Sequence, residues 1–335
     1  MSHPSAMILG CAGATLAPEE RDFFREADPL GFILFQRNCV DPEQLRRLVE
    51  ALRASVGRAD APVLIDQEGG RVARLRPPHW RTYPSAARIA ALGDASPAAA
   101  RDVARLIADD LARLGITIDC LPVLDLPVPG ADAIIGDRAY GTAPERVAAI
   151  GRAACEGLLA GGVLPVIKHI PGHGRATVDS HLACPVVATA RDELAASDFA
   201  PFRALNDMNW AMTAHIVYSA IDAARPGTLS PVVIAEVIRG AIGFAGVLVS
   251  DDLSMQALGG SLGERAAGAL AAGCDVALHC SGRLDEMRAV AEAVGTLNQA
   301  GFERIVAGEA RRRQSVAPFE RAVTEARLDA WFGAA

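Results

Sequence analysis

The sequence predicts a single (β/α)8 barrel of the TIM type, in which eight parallel strands alternate with helices. Three observations favour this fold. Eight apolar stretches of strand length recur along the 335 residues, and each is continuously hydrophobic, as strands buried on both faces are. Amphipathic stretches of helical length separate them. Hydrophobic residues make up 51% of the chain but aromatic residues only 5%, a composition that suits helices layered on a parallel sheet.

The predicted elements follow one another without a gap in the alternation. The strands span 6–11, 31–36, 62–67, 116–126, 162–169, 209–218, 246–252 and 274–280. The clearest helices span 42–56, 97–115, 143–162 and 230–243. The first of these follows Asp41, a natural N-cap, and the second closes on Gly115, a residue type typical of the position after a helix.

The chain is longer than the roughly 250 residues typical of this fold, which leaves room for long loops after the strands. Its tail, 302–335, is rich in Arg, Glu and Ala and predicts an extra C-terminal helix or two on the periphery. Because no Ser/Gly-rich linker divides the chain, we expect one domain over residues 1–335. An open doubly wound sheet is the alternative, but no Gly-rich dinucleotide fingerprint follows the first strand.

Charge and cysteine content limit the partners. The net charge is −7 and no basic run is present, so we expect no nucleic-acid partner. The N-terminus lacks a basic region followed by a long apolar one, and no uncharged stretch of about 18 residues predicts a membrane span. The seven cysteines are scattered, without a C-x-x-C pair, as free thiols in a reducing compartment are. We therefore expect a cytoplasmic protein with no membrane partner, and a monomer.

Polar residues, nearly all of them ionisable, stand where five of the predicted strands end. They are Asp66, Gln67 and Glu68; Asp125; Lys168 and His169; His215; and Asp251 and Asp252. Any one of them alone is explained as a helix cap or a loop ion pair. In a (β/α)8 barrel, however, all carboxyl ends of the strands meet at one mouth, where active sites lie. Together these residues predict a catalytic mouth.

The stretch 166–186 carries three histidines and allows three kinds of chemistry. His169 and His173 are four residues apart, as zinc ligands on a helix are, but Pro171 and the flanking glycines break a helix there. Lys168 could form a Schiff base, which requires few carboxylates nearby. We expect Asp66 and Asp251 to share the mouth, which favours a charged lysine that binds substrate.

The third kind of chemistry is acid–base catalysis on a sugar. Asp179 and His181 are two residues apart and point the same way if the segment is extended, so the carboxylate can orient the imidazole. A histidine held in this way can donate a proton to a leaving oxygen and later accept one from water. Asp251 could then act as the nucleophile, as in a retaining glycosidase with histidine in place of the usual carboxylic acid. A turn capped by Asp179 is the alternative for this pair.

Six motifs occur in order and resemble glycoside hydrolase family 3, more narrowly its single-domain bacterial β-N-acetylglucosaminidases of peptidoglycan recycling. They are GFILFQRN (31–38), LIDQEGGRVARL (64–75), IIGDRAYG (134–141), KHIPGHG (168–174), DSH (179–181) and GVLVSDDLSM (246–255). The motifs span most of the predicted barrel, and their combination is far more specific than any one of them.

The resemblance implies a role for each matched residue. The nucleophile falls on Asp251, and the general acid/base on His181 with Asp179 as its partner. Sugar-binding roles fall on Asp66, Arg74, Arg138, Lys168 and His169. The resemblance further implies a loop, 172–184, that moves to bring His181 over the sugar. We expect His173 to hold the base of that loop, Asp252 to brace the strand end, and His215 to line the pocket.

The implied substrate is a non-reducing terminal β-linked N-acetylglucosamine, as on 1,6-anhydro-N-acetylmuramoyl peptides, with no metal or organic cofactor. A β-glucosidase and a phosphorylase of the same family remain alternatives, the latter because histidine repels phosphate less than a carboxylate does. A sugar-binding barrel without activity and a metal-dependent barrel hydrolase are alternatives of other classes. Two residues depart from the family pattern. Ile170 replaces the usual Phe and keeps its apolar bulk, whereas Arg175 could alter the loop or contact an anionic aglycone.

Overall fold

The computed structural model describes residues 3–333 and contains eight parallel strands in one sheet. They are β1 (Ser5–Leu9), β2 (Pro29–Leu34), β3 (Val63–Ile65), β4 (Ile118–Asp119), β5 (Leu164–Ile170), β6 (Trp210–Thr213), β7 (Val247–Val249) and β8 (Ala277–His279). Neighbours along the chain pair from β1 to β7, and β8 pairs with β1. A bridge between Val249 and Val276 brings the two remaining edges together. The prediction of a (β/α)8 barrel is confirmed.

A helix follows each strand on the outside of the barrel. These are α1 (Pro18–Ala27), α2 (Pro42–Ser55), α3 (Ser96–Arg113), α4 (Pro144–Ala160), α5 (Ala200–Ala204), α6 (Val233–Ala241), α7 (Leu262–Ala272) and α8 (Leu284–Ala293). Two helices come after them, α9 (Gln299–Gln314) and α10 (Arg321–Phe332). The Asp41 carboxylate accepts the backbone N–H groups of Glu43 and Gln44, which confirms it as the N-cap of α2.

Three predicted elements differ in detail. Of the stretch 209–218, only Trp210–Thr213 belongs to the barrel sheet, and Val217–Tyr218 form a short strand that pairs with Val186–Val187. Of the stretch 116–126, only Ile118–Asp119 is a strand, and the residues after it run irregularly apart from one bridge between Val123 and Lys168. Pro122 lacks the N–H that a continued ladder requires. Helix α6 is a π-helix, wider than the α-helix that its spacing predicts.

Each strand sends side chains alternately into the barrel and outward to the helices. In β7, Val247 and Val249 belong to the apolar cluster inside the barrel, whereas Leu248 belongs to the cluster between barrel and helices. In β1, Ile8 points inward, and Met7 and Leu9 point outward. Both faces are therefore buried, which is why the strands read as continuous hydrophobic runs.

The two ends of the barrel differ. Helix α9 lies at the amino ends of the strands, where Phe302 and Ile305 pack against the inner cluster. Trp210 and Leu164 line a cavity of about 380 Å3 beneath that helix. The carboxyl ends open instead onto long loops. Within residues 3–333, no helix has the length and apolar character needed to cross a membrane.

Candidate active site

A cavity of about 200 Å3 lies at the carboxyl ends of the strands. Seven of the eight residues predicted from the sequence line it, and the eighth, Asp179, contacts His181 from behind. The seven are Asp66, Arg74, Arg138, Lys168, His169, His181 and Asp251. They come from the ends of β3, β5 and β7 and from loops after β3, β4 and β5, so the barrel brings together residues that are up to 185 positions apart (251 − 66).

One wall of the cavity is a chain of alternating charges, which we call the strand-end network: Arg74, Asp66, Lys168, Glu68 and Arg138. Lys168 Nζ lies 2.8 Å from Asp66 Oδ1 and 2.6 Å from Glu68 Oε1. Arg74 donates to Asp66 Oδ2 over 2.9 Å, and Arg138 binds both oxygens of Glu68 at 2.8 Å. A fork of this kind fixes both partners in direction as well as in distance.

The network holds its charges although it is buried. Burial opposes the charge on Lys168, but Asp66 and Glu68 outweigh it and hold the pKa of the ammonium above its ordinary value. Burial likewise opposes the charge on Asp66, yet Lys168 and Arg74 hold the pKa of that carboxyl well below its usual range. A permanently charged lysine suits substrate binding and not Schiff-base formation, which needs the free amine.

His169 is oriented by a buried carboxylate. Asp125 Oδ2 lies 2.7 Å from His169 Nδ1, and Asp125 Oδ1 accepts the backbone N–H groups of His169 and His173. Burial opposes the charge on Asp125, but His169 outweighs it and the pKa of the carboxyl falls below its ordinary value. The Nδ1–H is thereby held on Asp125, and Nε2 is the nitrogen that can meet a ligand.

The two aspartates after β7 have different environments. Asp252 is bound on both oxygens, because it accepts the N–H groups of Ser254 and Cys280 and the Ser254 hydroxyl. Asp251 Oδ1 accepts the N–H of Asp252 at 2.8 Å, and Oδ2 accepts no hydrogen bond from residues 3–333. Burial opposes ionisation of Asp251, but His169 and His215 outweigh it and lower the pKa of its carboxyl. Asp251 is therefore an ionised carboxylate with one oxygen available.

His181 is carried by residues 172–184, which we call the histidine loop. Asp179 Oδ1 lies 2.8 Å from His181 Nδ1 and also accepts the His181 backbone N–H at 2.8 Å. The extended geometry predicted for this pair is wrong, because residues 180–182 form a turn and the aspartate closes it by bonding the residue two positions on. The turn still directs the carboxylate to the ring, and His181 Nε2 has no hydrogen-bond partner within residues 3–333.

The base of the histidine loop is tied down at two points. His173 Nε2 lies 3.0 Å from the hydroxyl of Ser180, and both side chains are buried. Burial lowers the pKa of His173 to about 4, and neighbouring His169 adds to the shift, so the ring is neutral at pH 7. Tyr218 donates its hydroxyl hydrogen to the Gly172 carbonyl over 2.9 Å.

Arg175 turns away from the cavity. Its guanidinium binds Asp198 at 2.7 Å and Glu193 at 2.9 Å, and it donates to the Ser197 hydroxyl. Asp198 is itself buried. The predicted alternative of a contact with an anionic aglycone is therefore wrong for this conformation, and Arg175 instead anchors the loop to the helix at Arg191–Ala196.

His169 and His173 are also the candidate metal ligands of the sequence. No group of three or more His, Cys, Asp or Glu side chains in the described part of the chain is arranged to hold a metal ion. The ring centroids of His169 and His173 are 5.6 Å apart in an edge-to-face arrangement. Each ring has one nitrogen hydrogen-bonded to a protein oxygen.

A comparison with protein families identifies the chain. Residues 14–316 match the model of the glycosyl hydrolase family 3 N-terminal domain, which covers most of the 335 residues. The chain belongs to glycosyl hydrolase family 3. It is a glycoside hydrolase with the barrel and the strand-end residues that its motifs predict.

Relatives within family 3 match over most of their length. A β-hexosaminidase of Alkalilimnicola ehrlichii is 41% identical over 82% of this chain and 80% of its own. A β-hexosaminidase of Pseudomonas aeruginosa is 37% identical over 85% of both chains. The crystal structure of NagZ from Neisseria gonorrhoeae with N-trifluoroacetyl-D-glucosamine superposes with a TM-score of 0.87, at 31% identity over 98% of both chains.

Three residues of this family 3 site were not assigned a role from the sequence. Glu68 joins Lys168 to Arg138, and Asp125 orients His169. Asp119 is buried below them, its Oδ1 accepts the backbone N–H of Gln67, and burial raises the pKa of its carboxyl above the ordinary value. Glu68 and Asp125 stand at the ends of predicted strands, and this position could have indicated a role in the site. Asp119 lies within an apolar run, so its position gives no such indication. His215 is fully buried and does not line the cavity.

Proposed function

We propose that the protein is a retaining exo-β-N-acetylglucosaminidase that forms a covalent glycosyl intermediate on Asp251. The observation that carries the proposal is the pairing of an available carboxylate with an aspartate-backed histidine in one cavity. The names of the related β-hexosaminidases and the N-acylglucosamine ligand of NagZ support the choice of sugar. Asp251, His181 and Asp179 form the catalytic group, and the strand-end network with His169 binds the sugar.

In the first step, Asp251 Oδ2 attacks the anomeric carbon while the glycosidic bond breaks. His181 donates its Nε2 proton to the departing oxygen, and Asp179 holds the Nδ1–H and stabilises the imidazolium before transfer. The lowered pKa of Asp251 keeps the nucleophile ionised at neutral pH. The alcohol leaves, and the sugar remains bonded to the aspartate.

In the second step, His181 accepts a proton from water through Nε2. The water oxygen attacks the anomeric carbon, the bond to Asp251 breaks, and the product keeps the β configuration of the substrate. A histidine on an exposed loop can serve in both directions because solvent reaches it between the two steps. The His181 side chain is 58% exposed, against 8% for His169.

The strand-end network positions the sugar hydroxyls. Asp66 and Glu68 can accept hydrogen bonds from hydroxyls, and Lys168, Arg74 and Arg138 can donate them. Because these groups already bind one another, they need little reorganisation when the sugar replaces water. Fixed dipoles of this kind stabilise the charge that develops at the sugar ring.

The natural substrate we propose is N-acetylglucosamine linked to a 1,6-anhydro-N-acetylmuramoyl peptide, hydrolysed in the cytoplasm during peptidoglycan recycling. The resemblance of the six motifs supports this substrate class. We further propose that the enzyme acts as a monomer, in which one chain supplies every proposed catalytic and binding residue.

The decisive experiment measures release of 4-nitrophenol from 4-nitrophenyl N-acetyl-β-glucosaminide. We expect activity in the wild type and near-complete loss in Asp251→Ala. Asp94→Ala is the matched control, since Asp94 is an exposed aspartate outside the cavity. Azide should restore turnover to Asp251→Ala and yield the α-glycosyl azide. Equal rates in wild type and Asp251→Ala would rule out this nucleophile.

Three product analyses separate the alternatives. Proton NMR at early times should show the β-anomer, and an initial α-anomer would indicate inversion. Added phosphate should leave the product unphosphorylated, since a sugar 1-phosphate would identify a phosphorylase. Finally, kcat/KM for the β-glucoside should be far below that for the N-acetyl-β-glucosaminide, and the reverse order would indicate a β-glucosidase.

A further inference from the structure

A buried polar cluster lies directly beneath the two aspartates after β7. It consists of Thr213 at the end of β6, His215 just after it, and Thr228 in the turn before α6. All three side chains are fully buried. Polar groups in such a position are normally hydrogen-bonded, so the direction of each bond can be worked out from donors and acceptors.

The direction of the first hydrogen bond follows from the chemistry of His215. His215 Nε2 lies 3.0 Å from the backbone carbonyl of Asp252, which can only accept, so Nε2 carries a hydrogen. Burial lowers the pKa of His215, although Asp251 and Asp252 oppose the shift, and His169 lowers it further. The ring is therefore neutral, and Nδ1 carries no hydrogen and accepts.

The directions of the hydrogen bonds made by the two threonines follow from that of the histidine. Thr228 Oγ1 lies 2.7 Å from His215 Nδ1 and donates its one hydrogen there, since its other acceptor, the Ala214 carbonyl, is farther away at 3.2 Å. Thr213 Oγ1, 2.7 Å from Thr228 Oγ1, must then be the donor in that pair. With its hydrogen used, Thr213 Oγ1 accepts the backbone N–H of Asp251 at 3.3 Å.

The chain of bonds thus begins and ends on the same strand end. It runs from the N–H of Asp251 through Thr213, Thr228 and His215 to the carbonyl of Asp252. Between these two points, the N–H of Asp252 donates to the Asp251 side chain. The backbone on both sides of the Asp251 carboxylate is therefore clamped from below, by side chains that do not reach the cavity.

We propose that Thr213, Thr228 and His215 are positioning residues for Asp251, and that the uninterrupted chain of hydrogen bonds aims its free Oδ2 at the anomeric carbon. This inference rests on the proposed function, because it assumes that Asp251 is the nucleophile. Attack on carbon requires the reacting atoms within a few tenths of an ångström of the productive position, so a small displacement of this backbone slows bond formation. Sugar binding depends on other residues and is spared.

Substitution of Thr228 by valine breaks the chain at its centre with almost no change of volume. His215 Nδ1 loses its donor and the Thr213 hydroxyl loses its acceptor, and unsatisfied buried groups rearrange. Thr228→Ser keeps the hydroxyl and serves as the conservative rescue. Thr213→Val and Thr213→Ser form a second pair at the link to Asp251. Thr324→Val is the matched control, since Thr324 is a buried threonine on α10, remote from the site.

The test measures covalent labelling of Asp251 by a 5-fluoro-N-acetylglucosaminyl fluoride, followed by peptide mass spectrometry. The dissociation constant for N-acetylglucosamine is measured by calorimetry in parallel. We expect Thr228→Val and Thr213→Val to reduce the labelling rate and kcat about 10- to 100-fold with the dissociation constant changed less than about threefold. Both serine variants and Thr324→Val should stay within about threefold of the wild type.

The outcomes separate this inference from the function on which it rests. If the wild type is not labelled at Asp251, the nucleophile assignment fails. If Asp251 is labelled but the valine variants react at the wild-type rate, the positioning role is wrong and the proposed function stands. Where a valine variant does not fold, the serine variants decide, and a loss of more than about tenfold in either overturns the inference. A parallel loss of sugar affinity would also overturn it, because it would indicate a general structural defect.

Discussion

The strand-end network and the histidine loop contribute to the same cavity, but they are held in different ways. Lys168 and Glu68 are almost inaccessible to solvent, with side chains 2% and 4% exposed, and each has more than one charged partner. His181 is 58% exposed, and its bonds from protein groups come from Asp179 within its own turn. One region is part of the barrel, and the other is a turn attached to it at a few points.

The difference matches two requirements of the proposed reaction. Binding and nucleophilic attack need fixed geometry, which the barrel supplies through buried bonds between distant segments. Proton transfer needs a group that can approach the leaving oxygen and later admit water, which an exposed turn on anchored ends permits. Substitutions in each region can test this division, from the largest expected effect to the smallest.

The histidine loop should contribute the proton and little else. We expect His181→Ala to lower kcat/KM about a thousandfold for a substrate with a poor leaving group, such as the methyl glycoside. With the 2,4-dinitrophenyl glycoside, whose leaving group needs no proton, the first step should be almost unaffected. Leu182→Ala is the control, since Leu182 is the exposed neighbour on the same turn. Equal losses for both leaving groups would place the proton donor elsewhere.

The strand-end network should contribute strongly to stability, because its charged partners are buried. In Lys168→Met, Asp66 and Glu68 remain buried without their shared cation, and we expect the free energy of unfolding to fall by about 3 kcal/mol. Urea denaturation measures this change. Arg47→Met removes an exposed partner of Glu43 and should cost less than about 0.5 kcal/mol. Similar losses in the two variants would contradict the view that burial makes the strand-end network important for stability.

His173 lies where the two regions meet and should make stability depend on pH. Its folded pKa of about 4 lies below the ordinary value of 6.5, so the folded protein binds fewer protons between these values. This group therefore leaves the free energy of unfolding undiminished above pH 6.5 and lowers it by about 3 kcal/mol as the pH falls towards 4.

We expect His173→Gln to flatten the dependence of the unfolding free energy on pH in that window, measured by urea denaturation at several pH values. His79→Gln replaces an exposed histidine and should leave the slope unchanged. If His173→Gln keeps the wild-type slope, the buried neutral ring is not its source.

Arg175 should have the smallest effect. Because it faces Asp198 and not the cavity, Arg175→Ala should cost about 1 kcal/mol of stability and change kcat/KM less than threefold, on the chromogenic substrate and on the muropeptide alike. Arg175→Lys keeps the charge and should cost less. A loss of activity confined to the muropeptide would show that the arginine reaches the aglycone after all.

Much of the fold was predictable because burial on both faces leaves a clear signal. All eight strands lie within or beside the predicted stretches, since a short, continuous apolar run such as that of β7 is typical of a strand inside a parallel sheet. Strand length was less predictable. In 116–126 the apolar run continues past Ile118–Asp119 because residues 120–124 are buried without being in the sheet, and hydrophobicity does not distinguish the two cases.

The site was predictable where polar residues interrupt strand ends, as Asp66, Lys168 and Asp251 do. The side chains that these residues contact could not be predicted from the sequence in the same way. That Lys168 meets Glu68, and that His215 lies below Asp252 and not in the cavity, depends on the positions of strands that are distant in sequence. The geometry of Asp179 and His181 is local, but the segment around Ser180 fits a strand as well as a turn, so the spacing of the two residues alone did not decide between them.

The packing of α9 against the amino ends of the strands has a consequence for the route of any ligand. Phe302 and Ile305 lie at the amino ends, and inward-facing apolar side chains fill the middle of the barrel. No channel therefore runs through these described residues from one end of the barrel to the other. A ligand that reaches Lys168 therefore enters and leaves at the carboxyl ends of the strands. In the exo-acting glycosidase that we propose, the released sugar and the shortened substrate therefore leave by the route along which the substrate arrived.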